Sequence, residues 1–586
     1  MGIQDLLERL KGLPRGGITV KTIKSPSGKS YSYPFLQWTE DGVRYAQRLS
    51  EAEVPFVKAG LEEREEIEAL ISWIKEPPIQ AETSLRYGET LASFVSSVAG
   101  WKKREGYAVL ANYLQGEASG KVFVLYGLRR SGKTTLIKQA IGAMDPDAFA
   151  KTAFIQVSRN DNLAKLNKDL RALEYLGFRY VFIDEATSLP DFIEGASLLS
   201  DIYASSGMKI VLSGTDSLGF WIAKSNELYD RCIFLRTTFI PYREFQNVLG
   251  MCGIDAYIEY GGTMSYDGDR YNASVFANEE NAGEYVDSSI AHNIQHSLRN
   301  YQEGAHFRHL HSLYEAGELT NAINRVIEDM NHRFTLEVLT TDFISHDLAL
   351  SAKNLRADKT HPSTLLDDID VTRFTRALME RLDIKNRAGL SVEIDATHVE
   401  EIQEYLAALD LIKPIDIVDI SYPKTEHSRV VFTQPGLRYA QAKAFLSCLE
   451  EEEEFLRLDF AERKRVTERI LSEIKGRMME DIVLLETKLA LPNKEVFKLQ
   501  FADGEFDMVV CDPEQGGVDL YEIKYGKEAY ESQARHLLDE RKCALTSHRF
   551  GAILSKNVLY RGESGTHFGL TDRNVEEYLS SLGQGK

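Results

Sequence analysis

Residues 122–134 read Val122-Phe123-Val124-Leu125-Tyr126-Gly127-Leu128-Arg129-Arg130-Ser131-Gly132-Lys133-Thr134. The apolar, β-branched run of five predicts a buried strand, and the eight residues after it carry the spacing Gly-x4-Gly-Lys-Thr. Thr135, Leu136 and Ile137 open a helical pattern, so the turn joins a strand to a helix. Its two glycines permit backbone angles and close approaches that a side chain would block. The N–H groups of such a turn converge, and the following helix adds the positive end of its dipole. The result is a cradle for a phosphate chain. Lys133 brings mobile charge to the β- and γ-phosphates, and the Thr134 hydroxyl completes a magnesium shell. Gly127, Leu128, Arg129, Arg130, Ser131, Gly132, Lys133, Thr134 and Thr135 are therefore the candidate contacts to ATP, with Mg2+ as the accompanying ion.

Two elements downstream fit the same chemistry. The apolar run Tyr180–Ile183 ends in Asp184-Glu185, 50 residues beyond Thr134. A strand that delivers Asp-Glu at its carboxyl end is a Walker B arrangement: Asp184 holds magnesium, largely through water, and Glu185 polarises the attacking water as general base. Its presence argues for hydrolysis as well as binding. A further strand, 209–214, runs into Thr215-Asp216-Ser217. The arrangement resembles AAA-like ATPases, in which a polar residue at the end of this strand reads the γ-phosphate; that resemblance implies the part for Ser213, Thr215 or Asp216, with Thr215 taken as the candidate, and an N-cap role for Asp216 or Ser217 is equally good chemistry. With 152–158 and 232–239 as additional strands and helical runs between them, the alternation predicts βαβ units and a parallel sheet covered on both faces.

Bulk properties bound the rest. A chain of 586 residues is too long for one ordinary core, so two to four domains are expected. A net charge of −20 gives no overall attraction to polyanions, so any nucleic acid must be met by local basic patches. Five cysteines without a CxxC spacing suit a reducing cytoplasm and give no zinc signature. No apolar run has the length of about 20 residues that spans a bilayer. The thirteen histidines form no metal-ligand motif. Residues 16–40 predict a hairpin and 51–78 a charged helix, a front module whose Arg15, Lys21, Lys24 and Lys29 are its basic residues. Past residue 250 the pattern turns helical, and LIKPIDIVDI and RVVFTQ flank a loop as in a winged helix.

The series GLRRSGKTTLI, VFIDEATSL, LSGTDSLGFW, LYDRCIFLRTTFIPYREF and IEYGGTMSYD resembles the archaeal-type ATPase family, AAA-like proteins related to the signalling NTPases. The resemblance covers residues 100–450 and includes a winged-helix-like region around FTQPGLRYA. It implies a charge-sensing or finger role for Arg231, against which stands an ordinary surface salt bridge.

Many relatives of that family carry a restriction-endonuclease-like domain at the C-terminus. Here Glu505–Val510 and Val518–Lys524 read as two strands that present Asp507, Glu522 and Lys524. Residues two apart in a strand share a face, so Glu522 and Lys524 point to one side beside Asp507. The preceding helix offers Glu480. The set resembles a PD-(D/E)xK core, in which carboxylates hold magnesium at a scissile phosphate and a lysine activates water. The resemblance assigns Asp507, Glu522 and Glu480 to the metal and Lys524 to catalysis, with Gln533 beside them. Arg535, His536, Arg541 and Lys542 are candidate phosphate contacts. The first motif reads Phe-Asp, where the family has Pro-Asp.

The expected fold is α/β: a P-loop NTPase parallel sheet with a helical and winged-helix-like lid, a C-terminal restriction-endonuclease-like α/β domain and a small N-terminal α+β module. Expected boundaries are 1–80 for the front module, 81–250 for the ATPase core, 251–340 for the helical lid, 341–450 for the winged-helix-like region and 465–586 for the nuclease-like domain. The expected activity is Mg-dependent ATP hydrolysis coupled to a nuclease-like domain acting on DNA, in the cytoplasm, with room for a homo-oligomer. A nucleotide-gated scaffold with an inert C-terminal domain, and a DNA-binding motor without cleavage, are the alternatives.

Overall fold

Two β-rich segments dominate the apolar pattern, and each becomes its own sheet in the computed structural model. The structure describes the chain apart from residues 1–2, 25–28, 41–42, 75–79, 118–119, 216–219, 221–227, 229, 264–283, 287–288, 291–306, 339–393, 421–425, 451–455, 457–458, 529–533 and 584–586. Contacts divide it into two units. The first comprises Met1–Val124, Thr134–Ser213 and Ala223–Phe234; the second comprises Leu125–Lys133, Gly214–Ile222 and Leu235–Lys586.

The first unit opens with a three-stranded antiparallel sheet, β1 (Gly17–Lys24), β2 (Ser30–Glu40) and β3 (Val43–Arg48). The pairing of β1 with β2 agrees with the hairpin read from the sequence, while β3 was not foreseen. The helix Val54–Ile74 follows. Next comes a six-stranded sheet in the order β4-β6-β7-β8-β5-β9, built from β4 (Ser84–Arg86), β5 (Val122–Tyr126), β6 (Thr152–Gln156), β7 (Tyr180–Asp184), β8 (Lys209–Gly214) and β9 (Cys232–Arg236). The β6–β7 and β7–β8 pairs are parallel, whereas β4 runs antiparallel to β6. β5 is buried along its whole length, as a parallel sheet covered on two faces requires. The helices α1 (Lys133–Gly142) and α2 (Leu163–Tyr175) follow β5 and β6. The Asn162 side chain caps α2 by accepting from the Lys165 N–H, 2.9 Å away. The mixed α/β architecture and its parallel strands agree with a P-loop NTPase fold.

In the second unit, helices α3 (Tyr242–Asn247), α4 (Ile254–Tyr260), α5 (Leu319–Glu337) and α6 (Ala396–Ala408) precede an eight-stranded sheet. Its strands are β10 (Ile412–Asp419), β11 (Glu426–Phe432), β12 (Glu495–Phe501), β13 (Gly504–Asp512), β14 (Gly517–Lys524), β15 (Ala552–Tyr560), β16 (Gly565–His567) and β17 (Leu570–Asn574), in the order β11-β10-β12-β13-β14-β15-β17-β16. The hairpin β10–β11, read from the sequence as part of a winged-helix-like region, pairs in parallel with β12 through Asp416–Asp419 and Phe497–Gln500. Helix α7 (Pro435–Glu450) follows β11. The helix expected to offer Glu480 is α8 (Phe460–Ala490). Its apolar face, including Ile474, Met478 and Val483, joins Met508, Tyr521 and Ile523 in one core. The other face of the sheet, with Val509, Val518 and Leu520, packs with Leu537 and with Cys543 of α9 (Glu540–Phe550). Helix α10 (Val575–Ser581) closes the chain.

A buried ion network ties α5, α7 and α8 to β11. Arg438 Nη1 donates to Asp481 Oδ2 at 2.8 Å, Arg429 donates to the other oxygen of Asp481, and Arg438 Nε reaches Asn331 Oδ1 at 3.2 Å. Burial pulls the Arg438 guanidinium down to about 10, against the pull of Asp481. Removing one partner leaves a buried charge unpaired. The substitution Asp481→Ala should therefore destabilise the second unit by about 3–5 kcal/mol, read as a lower midpoint in urea denaturation followed by circular dichroism.

Candidate functional site

The phosphate turn lies where β5 ends. Gly127 has φ +154° and Gly132 φ +85°, and Arg130 adopts the left-handed conformation at φ 63°. A Cβ on Gly127 would meet Thr237 Oγ1 at 2.5 Å and the Thr238 nitrogen at 2.9 Å, so only glycine fits. The turn is held from outside as well. The Leu128 N–H donates to Thr238 Oγ1 at 3.1 Å, and Ser131 Oγ lies 2.9 Å from Thr237 Oγ1. Lys133 is buried and donates to the carbonyls of Gly127 at 2.7 Å and Leu128 at 2.9 Å. Arg129 and Arg130 are exposed, and Thr135 is half-buried.

At the carboxyl end of β7, Asp184 is a junction of hydroxyls. Thr134 Oγ1 donates to its Oδ2 at 3.0 Å, and Ser213 Oγ, from the end of β8, donates to Oδ1. Ser213 is thus a candidate that bonds directly to Asp184. Thr215 is buried, and Asp216 lies outside the described residues. Glu185 follows with φ 58° and ψ 37°, a left-handed conformation that costs a non-glycine residue of order 1 kcal/mol or more. Such strain gathers where a side chain must be aimed. Arg231 stands at the amino end of β9, where its carbonyl accepts from the Val122 N–H that opens β5, and Arg231 Nε pairs with Asp201 at 3.0 Å on an exposed surface. Asp184 lies at the other, carboxyl end of the strands.

The second constellation lies on β13 and β14. Lys524 Nζ sits 2.9 Å from Asp507 Oδ2 and 2.7 Å from Glu522 Oε2, and the Ile523 N–H donates to Asp507 Oδ2 at 2.7 Å. Glu522 is 1% exposed, and its Oε1 has no hydrogen-bond partner. Burial, reinforced by the neighbouring Asp507, holds the Glu522 carboxyl far above the usual range. Burial acts on Asp507 in the same sense, but the ammonium groups of Lys524 and Lys498 outweigh it and bring Asp507 well below. Glu480, on α8, is bound by cations: Arg477 at 2.8 Å and Lys498 at 3.5 Å. Burial raises it nonetheless, with repulsion from Asp507 adding to the effect. Among the described residues no group of three or more His, Cys, Asp or Glu side chains is arranged to hold a metal ion.

Two of the four expected phosphate contacts take other parts. Lys542 is 3% exposed and is spent on the Asp503 carbonyl at 2.8 Å and His536 Nδ1 at 2.7 Å. Burial and the charge of Lys542 lower His536 to about 4, so it is neutral at pH 7. Arg535 and Arg541 are exposed. Gln533 lies outside the described residues.

Residues 119–246 match the family model described as AAA domain, and with the turn at 127–134 and the Asp184 junction this stretch is an AAA-type P-loop ATPase domain. Among solved structures, the chain is similar to the Aeropyrum pernix Orc1 protein in complex with DNA, at 14% identity over 61% of this chain and 93% of that one, with a TM-score of 0.20. It is also similar to the S. cerevisiae Hsp104–ADP complex, at 12% identity over 65% of this chain and 50% of that one, with a TM-score of 0.21. No curated protein matches the chain. Among the described residues no helix is long and apolar enough to cross a membrane.

Sequence reasoning missed Thr237 and Thr238. Their signal was a pair of hydroxyls directly after an apolar strand, in Leu235-Arg236-Thr237-Thr238-Phe239, shortly before Pro241. Because a Cβ at residue 127 collides with both, Gly127→Ala should weaken nucleotide binding by at least about tenfold, the effect of roughly 1.4 kcal/mol of lost turn geometry; titration with a fluorescent ATP analogue measures it.

Proposed function

We propose that this chain binds and hydrolyses ATP with magnesium, and that its nucleotide state governs a C-terminal nuclease-like domain acting on DNA. The observation that carries the ATPase half is the pairing of Thr134 with Asp184 at 3.0 Å directly beside Lys133. A hydroxyl and a carboxylate at that separation suit magnesium, which Thr134 and Asp184 would hold. The ion would offset charge on the β- and γ-phosphates. Lys133 would exchange the carbonyls of Gly127 and Leu128 for phosphate oxygens. Glu185 would take the proton of the attacking water, and Ser213 would keep Asp184 oriented.

The nuclease half rests on Asp507, Glu522 and Lys524, which strands of the C-terminal sheet bring within hydrogen-bonding distance. A hard cation there would take the Asp507 carboxylate and the unpartnered Glu522 Oε1, with Glu480 as an accessory ligand, once the bridging lysine gives way. Magnesium there would polarise a phosphodiester. Lys524 would orient water and offset developing charge. One observation favours the scaffold reading instead: the Lys524 ammonium bridges both carboxylates and supplies their counter-charge itself. A homo-oligomer and a cytoplasmic location remain part of the proposal.

Three outcomes test it. Lys133→Ala should lose measurable ATP binding by calorimetry; retained tight binding refutes the assignment. Glu185→Gln should still bind ATP but turn it over about 10²-fold or more slowly, the loss of a general base; an unchanged rate removes Glu185 from that role. Magnesium-dependent cleavage of plasmid or single-stranded DNA should disappear in Lys524→Ala, and absence of cleavage by the unaltered chain in every nucleotide state selects the scaffold reading.

A further inference from the structure

One peptide unit in the phosphate turn is gripped from both sides. Its carbonyl, Gly127 O, accepts from Lys133 Nζ at 2.7 Å, and its N–H, on Leu128, donates to Thr238 Oγ1 at 3.1 Å. The Thr238 hydroxyl spends its single proton elsewhere, on the Leu409 carbonyl at 3.0 Å. Leu128, Thr238 and Leu409 are all fully buried, so no water substitutes for any of these bonds. The Leu409 carbonyl stands at the end of α6. Asp410 follows it with φ 63°, and the Asp410 and Leu411 carbonyls accept from Thr433 Oγ1 at 2.8 and 3.2 Å. Ile412 then opens β10, the strand paired in parallel with β12. β12 in turn pairs with β13, which carries Asp507.

We propose that Thr238 is a positioning residue that links the phosphate turn to the C-terminal sheet, a role that rests on reading the turn as the nucleotide site. The warrant is the double use of one hydroxyl. Lys133 is the side chain that phosphate recruits, and when it leaves Gly127 O the peptide unit loses its partner on that side. The bond from Leu128 N–H to Thr238 then bears the reorientation of the unit. Any shift of Thr238 Oγ1 changes its bond to Leu409 O, which is set one residue before the left-handed Asp410 and three before β10. Because the three groups are buried, breaking either bond leaves an unpaired polar group, so the bonds rearrange together rather than singly. Asp410 is held on its far side by ion pairs to Arg236, at 3.6 Å, and to Lys413. The junction therefore has a defined alternative only by concerted movement.

The test compares hydrogen exchange over residues 405–419 and 495–501 in the full chain, with and without a non-hydrolysable ATP analogue. In the unaltered chain the analogue should change exchange in both segments. In Thr238→Val, which keeps the side-chain shape and removes the hydroxyl, the analogue should still bind, about tenfold more weakly at most for one neutral hydrogen bond, yet leave both segments unchanged. Thr238→Ser should restore the response. A response in Thr238→Val equal to that of the unaltered chain, or none in the unaltered chain while the analogue binds, overturns the proposal. Failure of the unaltered chain to bind the analogue at all instead overturns the nucleotide reading on which it rests. A melting temperature measured for each variant separates lost coupling from lost folding: a Thr238→Val chain that melts early and responds nowhere counts against a positioning role if Thr238→Ser melts normally and is equally silent.

Discussion

The turn after β5 has no room for a side chain at its first residue. Thr237 and Thr238 stand where a Cβ on Gly127 would go, and the same two residues hydrogen-bond to the turn they crowd. Steric exclusion and polar satisfaction thus act on one point. A glycine is required by the neighbours, and their hydroxyls bond to the buried Leu128 N–H and to the Ser131 hydroxyl of the turn. Lys133 is held within the same turn, by the carbonyls of Gly127 and Leu128. Asp184 answers the same need differently: two hydroxyls, from Thr134 and Ser213, fill the oxygen positions of a buried carboxylate.

The ATPase strands were largely legible, because fully buried parallel strands leave continuous apolar runs. β5, β7 and β8 fall where their runs predict. β6 and β9 end earlier than read, at Gln156 and Arg236, where the chain turns polar. Short or exposed strands were not legible. β3 is exposed along its length and β4 has three residues, so neither imposes a pattern of alternation strong enough to stand out. Thr237 and Thr238 escaped for another reason: their partners lie more than 100 residues away in the chain.

In the C-terminal sheet, β13, β14 and the meeting of Asp507 with Lys524 followed from a period of two and one hairpin, while β12 and β15–β17 were not read. What lay beyond reach was the allegiance of each charge. Glu480 was read as an accessory metal ligand, and Arg477 and Lys498 engage it. Lys542 was read as a candidate phosphate contact, yet the packing of α9 buries it against Asp503 and His536. Charges of that kind are assigned by tertiary neighbours, and a linear pattern of helix-forming residues carries no record of them.

The parallel pairing of β10 with β12 also sets where this chain can be divided. A fragment beginning near residue 460 would keep α8 and β12–β17 but lose the hairpin that covers the outer side of β12. Its unprotected backbone donors and acceptors would form an open sheet margin, a template for joining another molecule edge to edge. The same cut would strand Asp481 without Arg429 and Arg438. The smallest piece with both problems solved starts before β10, so the hairpin and the terminal sheet belong together despite the long helix between them.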